Sequence, residues 1–121
     1  MTDKTTPQPK IFAIYLLIIL FILLVNTSFG QIKVVQYNAD WNKDNTVSWI
    51  SDLTDVKTKS YVNIGKDVEA QKKYKIAVVP TIIIFKDDEE VARFQADLSF
   101  KMVATREEVQ EEIDEQLMSD F

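Results

Sequence analysis

Ile82-Ile83-Ile84-Phe85 is the most apolar run of the chain beyond residue 30, and Pro80 stands two positions ahead of it. Four apolar residues in a row, three of them β-branched, suit a central strand of a sheet. A central strand needs neighbours. Ile32-Lys33-Val34-Val35-Gln36-Tyr37 reads as another buried strand, and Ser60-Tyr61-Val62-Asn63-Ile64 as a third. Lys86-Asp87-Asp88-Glu89-Glu90 is a charged turn, after which Val91 to Gln95 folds back as a hairpin partner.

Helices are expected between these strands. Val47, Ile50 and Leu53 share one face of a segment from Asn45 to about Val56, with Trp49 at the edge of that face. Asp67 to Lys75 is rich in good helix formers. The last helix has the sharpest start: Thr105-Arg106-Glu107-Glu108 fits a capping box, and Val109, Ile113 and Leu117 form one stripe. Asn38 to Asp44 is polar apart from Ala39 and Trp41 and reads as a loop. The order is β-α-β-α-β-β-α, an α/β arrangement of one small domain.

That domain occupies residues 31–121. Residues 1–30 read as a signal peptide or an N-terminal membrane anchor. Lys4 and Lys10 flank fifteen apolar positions, Ile11 to Val25, followed by Ser28-Phe29-Gly30. The run is at the upper end of the roughly 7–15 residues of a signal's apolar core and short of the about 20 that span a bilayer. Cleavage before Gln31 gives an exported protein, periplasmic or extracellular. Retention gives a membrane-anchored subunit facing outside the cytoplasm, with residues 11–25 as its only membrane contact. The sequon Asn26-Thr27-Ser28 lies in the segment expected to be removed.

Two absences exclude more than any motif supplies. The 121 residues contain no cysteine and no histidine. Disulfides, iron–sulfur clusters and thiolate zinc sites are thereby excluded, and the commonest general base and metal ligand is missing. No metal and no cofactor are expected. With Lys4, Lys10 and Asp3 set aside, 12 basic and 18 acidic residues leave the domain at net −6. That charge argues against nucleic acid and anionic membranes as partners. Asp87-Asp88-Glu89-Glu90 is expected to be solvated surface rather than a calcium site.

Two segments carry a family resemblance. Val34-Val35-Gln36-Tyr37-Asn38-Ala39-Asp40-Trp41 is similar to the first core strand of thioredoxins running into the active-site loop, where Ala-x-Trp precedes Cys-Gly-Pro-Cys. Tyr74-Lys75-Ile76-Ala77-Val78-Val79-Pro80-Thr81 with the run after it resembles the family's Tyr-x-Ile-x-x-x-Pro-Thr segment. The resemblance covers Ile32 to Leu117, without the family's leading strand and helix. It implies a thioredoxin-like fold, a central mixed four-stranded sheet flanked by helices, and a cis bond before Pro80. It does not imply the family's chemistry. Asn42 and Asn45 stand at the two cysteine positions, with Lys43 and Asp44 between them, and Gln36 stands where the family often has a buried Asp. Thiol–disulfide exchange needs a thiolate, so the chain is expected to be a redox-inactive member and not an enzyme.

What remains is a binding or scaffold role toward a protein or extended peptide. The degenerate positions Asn42, Lys43, Asp44 and Asn45 would lie beside a candidate surface of Trp41, Val79, Pro80 and Thr81. A simpler use of Asn42 or Asn45 is helix capping. The connection Gln95 to Ala104 is longer than the family's and lacks its Gly. Phe100 and Met102 within it suit either a small satellite core or a partner patch.

Overall fold

The computed structural model describes residues 13–19 and 30–119. Residues 13–19 are helical (α1), and the remainder of the expected signal or anchor, apart from Gly30, lies outside the described residues. No helix among the described residues is long and apolar enough to cross a membrane.

Four strands form one mixed sheet: β1 Ile32–Asn38, β2 Thr58–Asn63, β3 Thr81–Lys86 and β4 Glu89–Gln95, in the order β2-β1-β3-β4. β1 pairs parallel with β2 and antiparallel with β3, and β4 is antiparallel to β3. The apolar run of β3 is central, as its composition requires. Its alternate residues feed two cores. Ile82 and Ile84 pack on one face with Val34, Ile50, Val109 and Ile113, and Ile83 and Phe85 on the other with Val35, Tyr37 and Ile76.

Helix α2 (Val68–Lys73) runs two residues shorter at its end than its composition suggests, and starts where Asp67 accepts a hydrogen bond from Ala70 N. Helix α3 (Arg106–Met118) begins as the capping box predicts: Glu108 N donates to Thr105 Oγ1 at 3.2 Å. Val109 and Ile113 are fully buried. The β3–β4 turn is tighter than expected. Asp87 and Asp88 both adopt positive φ, 51° and 70°, the geometry of a two-residue hairpin turn, which Asp tolerates better than most residues. The carboxylate of Asp87 accepts from Gly30 N and Gln31 N.

The first expected helix takes another form. Instead of a continuous helix from Asn45 to Val56, one short 3₁₀ segment occurs there, Trp49–Asp52, and the stretch Asn38 to Asp44, expected to be a loop, holds the end of β1 and most of another, Asp40–Asn45. Val47, Ile50 and Leu53 are all buried, but only Ile50 lies within a 3₁₀ segment. The physical reason is that two glutamine side chains take the peptide groups of Val47 and Thr54 in this arm, which a continuous helix would have to bond to itself. Gln36 exchanges two hydrogen bonds with the peptide groups of Val47, at 3.1 and 2.7 Å. Gln110 on α3 does the same with Thr54, at 2.8 and 3.1 Å.

Candidate functional site

The arm leaves β1 at Asn38 and passes directly beneath the loop that leads into β3. Asn42, the first of the four degenerate positions, is 4% exposed. Its Nδ2 donates to Asn38 Oδ1 at 3.1 Å, Phe100 O at 3.1 Å and Val79 O at 3.3 Å. Two amide hydrogens thus serve three acceptors from three separate stretches of chain. Asn45 Nδ2 donates to Asn42 Oδ1 at 2.8 Å. Asn38, fully buried, donates to Asn42 O and to Thr46 Oγ1. No buried side-chain polar atom among the described residues lacks a partner.

This arrangement corrects the capping assignment. Neither Asn42 nor Asn45 caps a helix. The cap positions are Ala39 and Ser48, neither with a side-chain bond, and both asparagines spend their amides on the network. Asn42 is a brace joining β1, the Pro80 loop and the long connection. Gln36 is uncharged for a related reason: Val47 offers one N–H and one C=O, and only an amide matches both.

The candidate surface divides. Val79, Pro80 and Thr81 are buried, and the Val79–Pro80 bond is cis. Thr81 Oγ1 donates to Val78 O, and Pro80 O accepts from Ala96 N. Lys43 and Asp44 are exposed. Trp41 is 69% exposed, and its ring meets Phe100 edge-on at 5.0 Å between centroids. On its other side lies an open cleft of about 390 Å³, lined in part by Asp40, Asn63, Lys66 and Gln71.

The long connection separates the two residues that left both uses open. Met102 packs against the first core, while Phe100 stays 40% exposed beside Trp41, with Leu98 fully in solvent close to it in sequence. Asp97 shapes the turn by accepting from Ser99 N, Ser99 Oγ and Lys101 N. The bond from Ser99 holds its carboxyl below the usual carboxylate range.

The chemistry open to this corner is limited. Amides are neither nucleophiles nor redox couples. The nearest buried phenol on the sheet, Tyr37, is pushed up to about 12, mainly by burial, and is neutral at physiological pH. Among the described residues no three acids stand together as a metal site.

No family model matches the sequence, and no curated protein sequence matches it significantly. Solved structures do. A mutant thioredoxin from Halobacterium salinarum NRC-1 superposes with a TM-score of 0.58 at 18% identity, over 75% of this chain and 79% of that one. Thioredoxin-2 of the malaria parasite, described as a component of its protein secretion machinery, gives 0.56 at 16%, over 70% and 82%. Thioredoxin NaTrxh from Nicotiana alata gives 0.54 at 19%, over 79% and 84%. The fold is therefore the thioredoxin fold. This chain has that fold and no cysteine, so it holds no thiol with which to carry out thiol–disulfide exchange.

Proposed function

We propose that the chain is an exported, redox-inactive thioredoxin-fold module that binds a protein or extended peptide through the surface around Trp41. The observation that carries this reading is the exposure of Trp41 next to Asn42, a buried side chain braced by three hydrogen bonds. Asn42 stands as a rigid support where the family has a reactive group, and the exposed rings of Trp41 and Phe100 meet beside it. Large aromatic side chains on rigid backbone are the usual anchors of interfaces. Because the carbonyl of Val79 is already bonded to Asn42, contact falls on the Trp41 side chain more than on main-chain pairing along the Pro80 loop.

The test is Trp41→Ala in the host that makes the protein. Association with the co-purifying partner is expected to weaken roughly 30-fold, for an anchor worth about 2 kcal/mol, with the melting temperature nearly unchanged. Glu112→Ala is the control and should change neither. If Trp41→Ala unfolds the domain, and binding merely tracks the folded fraction, Trp41 is a packing residue and the reading fails. Mass spectrometry of the same preparation reads export: an N-terminus at Gln31 supports it. An intact chain from Met1 in the membrane fraction favours the anchored accessory subunit.

A further inference from the structure

Strand β2 pairs with β1 only, and among the described residues no strand lies along its outer side. Thr58, Lys59, Ser60 and Tyr61 are exposed. Proteins guard such edges with proline, bulges or projecting charges, because unpaired N–H and C=O groups invite another strand. The two edges of this sheet differ in that respect. The β4 edge starts on the acidic turn, and the β3–β4 ladder is broken by an irregularity between Ile84 and Phe85. The β2 edge has no proline, and its register runs without a shift from Lys33↔Thr58 to Asn38↔Asn63. Its one lysine does not project as a guard: Lys59 Nζ is tied to Ser51 O of its own arm at 2.9 Å.

We propose that this edge pairs with the same edge of a second copy of the chain, antiparallel and two-fold symmetric about Ser60, joining the two sheets into one. The sequence Thr-Lys-Ser-Tyr-Val-Asn is self-complementary in that register. Lys59 lies directly opposite Tyr61 of the second copy, and Thr58 opposite its Val62. Residues directly opposite share a face and interact most strongly, so each Tyr61 ring covers the methylene stem of the opposite Lys59, whose ammonium stays on Ser51 O, and each Thr meets a β-branched partner. Centring on Lys59 would oppose two ammonium groups, which is destabilising. Centring on Tyr61 would set Lys59 against Asn63 and lose the pairing with the ring. A one-residue slip would set outward-facing backbone groups against inward-facing ones. The strand contains no acid, so the net negative charge of the chain is not concentrated at the contact.

The absence of cysteine makes the test direct. In the full chain carrying Ser60→Cys as its only thiol, the two Cα atoms on the axis would be about 4.5–5.5 Å apart, inside the roughly 4.4–6.8 Å range of disulfides. Oxidised glutathione should convert it to a covalent dimer at least ten times faster than Glu115→Cys, an exposed thiol on α3. Thr58→Cys and Val62→Cys should cross-link when mixed and not when alone, which keeps the test alive if Ser60→Cys perturbs the strand. Tyr61→Lys, on the cysteine-free chain, should abolish the dimer in sedimentation equilibrium with its thermal unfolding unchanged. Ser60→Cys reacting no faster than Glu115→Cys, no cross-link from the mixture, or a dimer mass untouched by Tyr61→Lys would each overturn the proposal.

Discussion

Two corners of this molecule are each held by one side chain that hydrogen-bonds three partner residues, and they do it with opposite chemistry. At the arm, Asn42 joins Asn38, Val79 and Phe100 with a neutral amide in a nearly dry setting. At the hairpin, Arg93 on β4 joins Tyr74 O, Lys75 O and the Glu90 carboxylate with a guanidinium still partly in water. Arg93 thereby neutralises carbonyls at the C-terminal end of α2, where a cation is favoured. The first corner holds no titratable group in its network. The second resembles an ordinary surface clamp. A buried brace is costly to break because its partners cannot turn to water, whereas a solvated one is worth little beyond its packing.

The largest expected effect follows from that contrast. Asn42→Asp keeps the shape of the side chain and turns the donor toward three oxygens into a carboxylate. Burying an unpaired charge there should cost about 3–5 kcal/mol at neutral pH. The carboxyl would be raised above its unfolded value of about 3.9. Stability should therefore be best preserved below pH 4 and decline as pH rises through the folded value. Urea unfolding of the variant at pH 3.5 and pH 7 checks this. A cost independent of pH, or below about 1 kcal/mol, would mean that water reaches the network and that the corner is not braced as described.

Arg93→Ala should cost less, about 1–2 kcal/mol, because Tyr74 O and Lys75 O lose a charged donor yet lie near enough to solvent to be partly rehydrated. The same urea titration at pH 7 reads it. A loss as large as that of Asn42→Asp would erase the distinction between the corners.

What the sequence made legible divides along the same line. The succession of elements along the chain, the central run Ile82–Phe85 and the start of α3 could be read because apolar periodicity and capping are local patterns. The replacement of both cysteine positions was equally plain. The 3₁₀ form of the arm was not legible, since Val47, Ile50 and Leu53 lie along one side of an α-helix and the side-chain bonds to Val47 and Thr54 that interrupt a helix come from far along the chain. The amide network was not legible. Its bonds join residues as far apart as Asn42 and Phe100, and no spacing along the chain distinguishes a buried bracing asparagine from a capping one. Asn38 gave only the weak signal of a polar residue ending an apolar strand. Gln36 and Gln110 gave none, because a glutamine that will clip a distant peptide group looks like any surface glutamine.

The smallest effect isolates charge within the solvated corner. Hydrogen bonding from Arg93 holds the Glu90 carboxyl below its ordinary range. A carboxyl whose folded value is depressed contributes stability that is present above its unfolded value, about 4.3, and is lost as pH falls through the folded value. Glu90 is 38% exposed and Arg93 23% as side chains, so solvent screening confines the contribution to well under 1 kcal/mol. Glu90→Gln retains an acceptor for Arg93 and removes only the charge. At pH 7 and low salt the variant should melt slightly below the parent, and the gap should shrink toward zero as pH falls to 3. Raising salt to 1 M should also narrow it, since the Debye length drops to about 3 Å. Asn42→Asp is expected to open its gap from the parent in the same direction, with rising pH, but by far more, and because the variant itself loses stability rather than because the parent gains it. If instead the Glu90→Gln gap persisted unchanged at pH 3, the lost contribution would be the geometry of the Arg93 clamp rather than its charge.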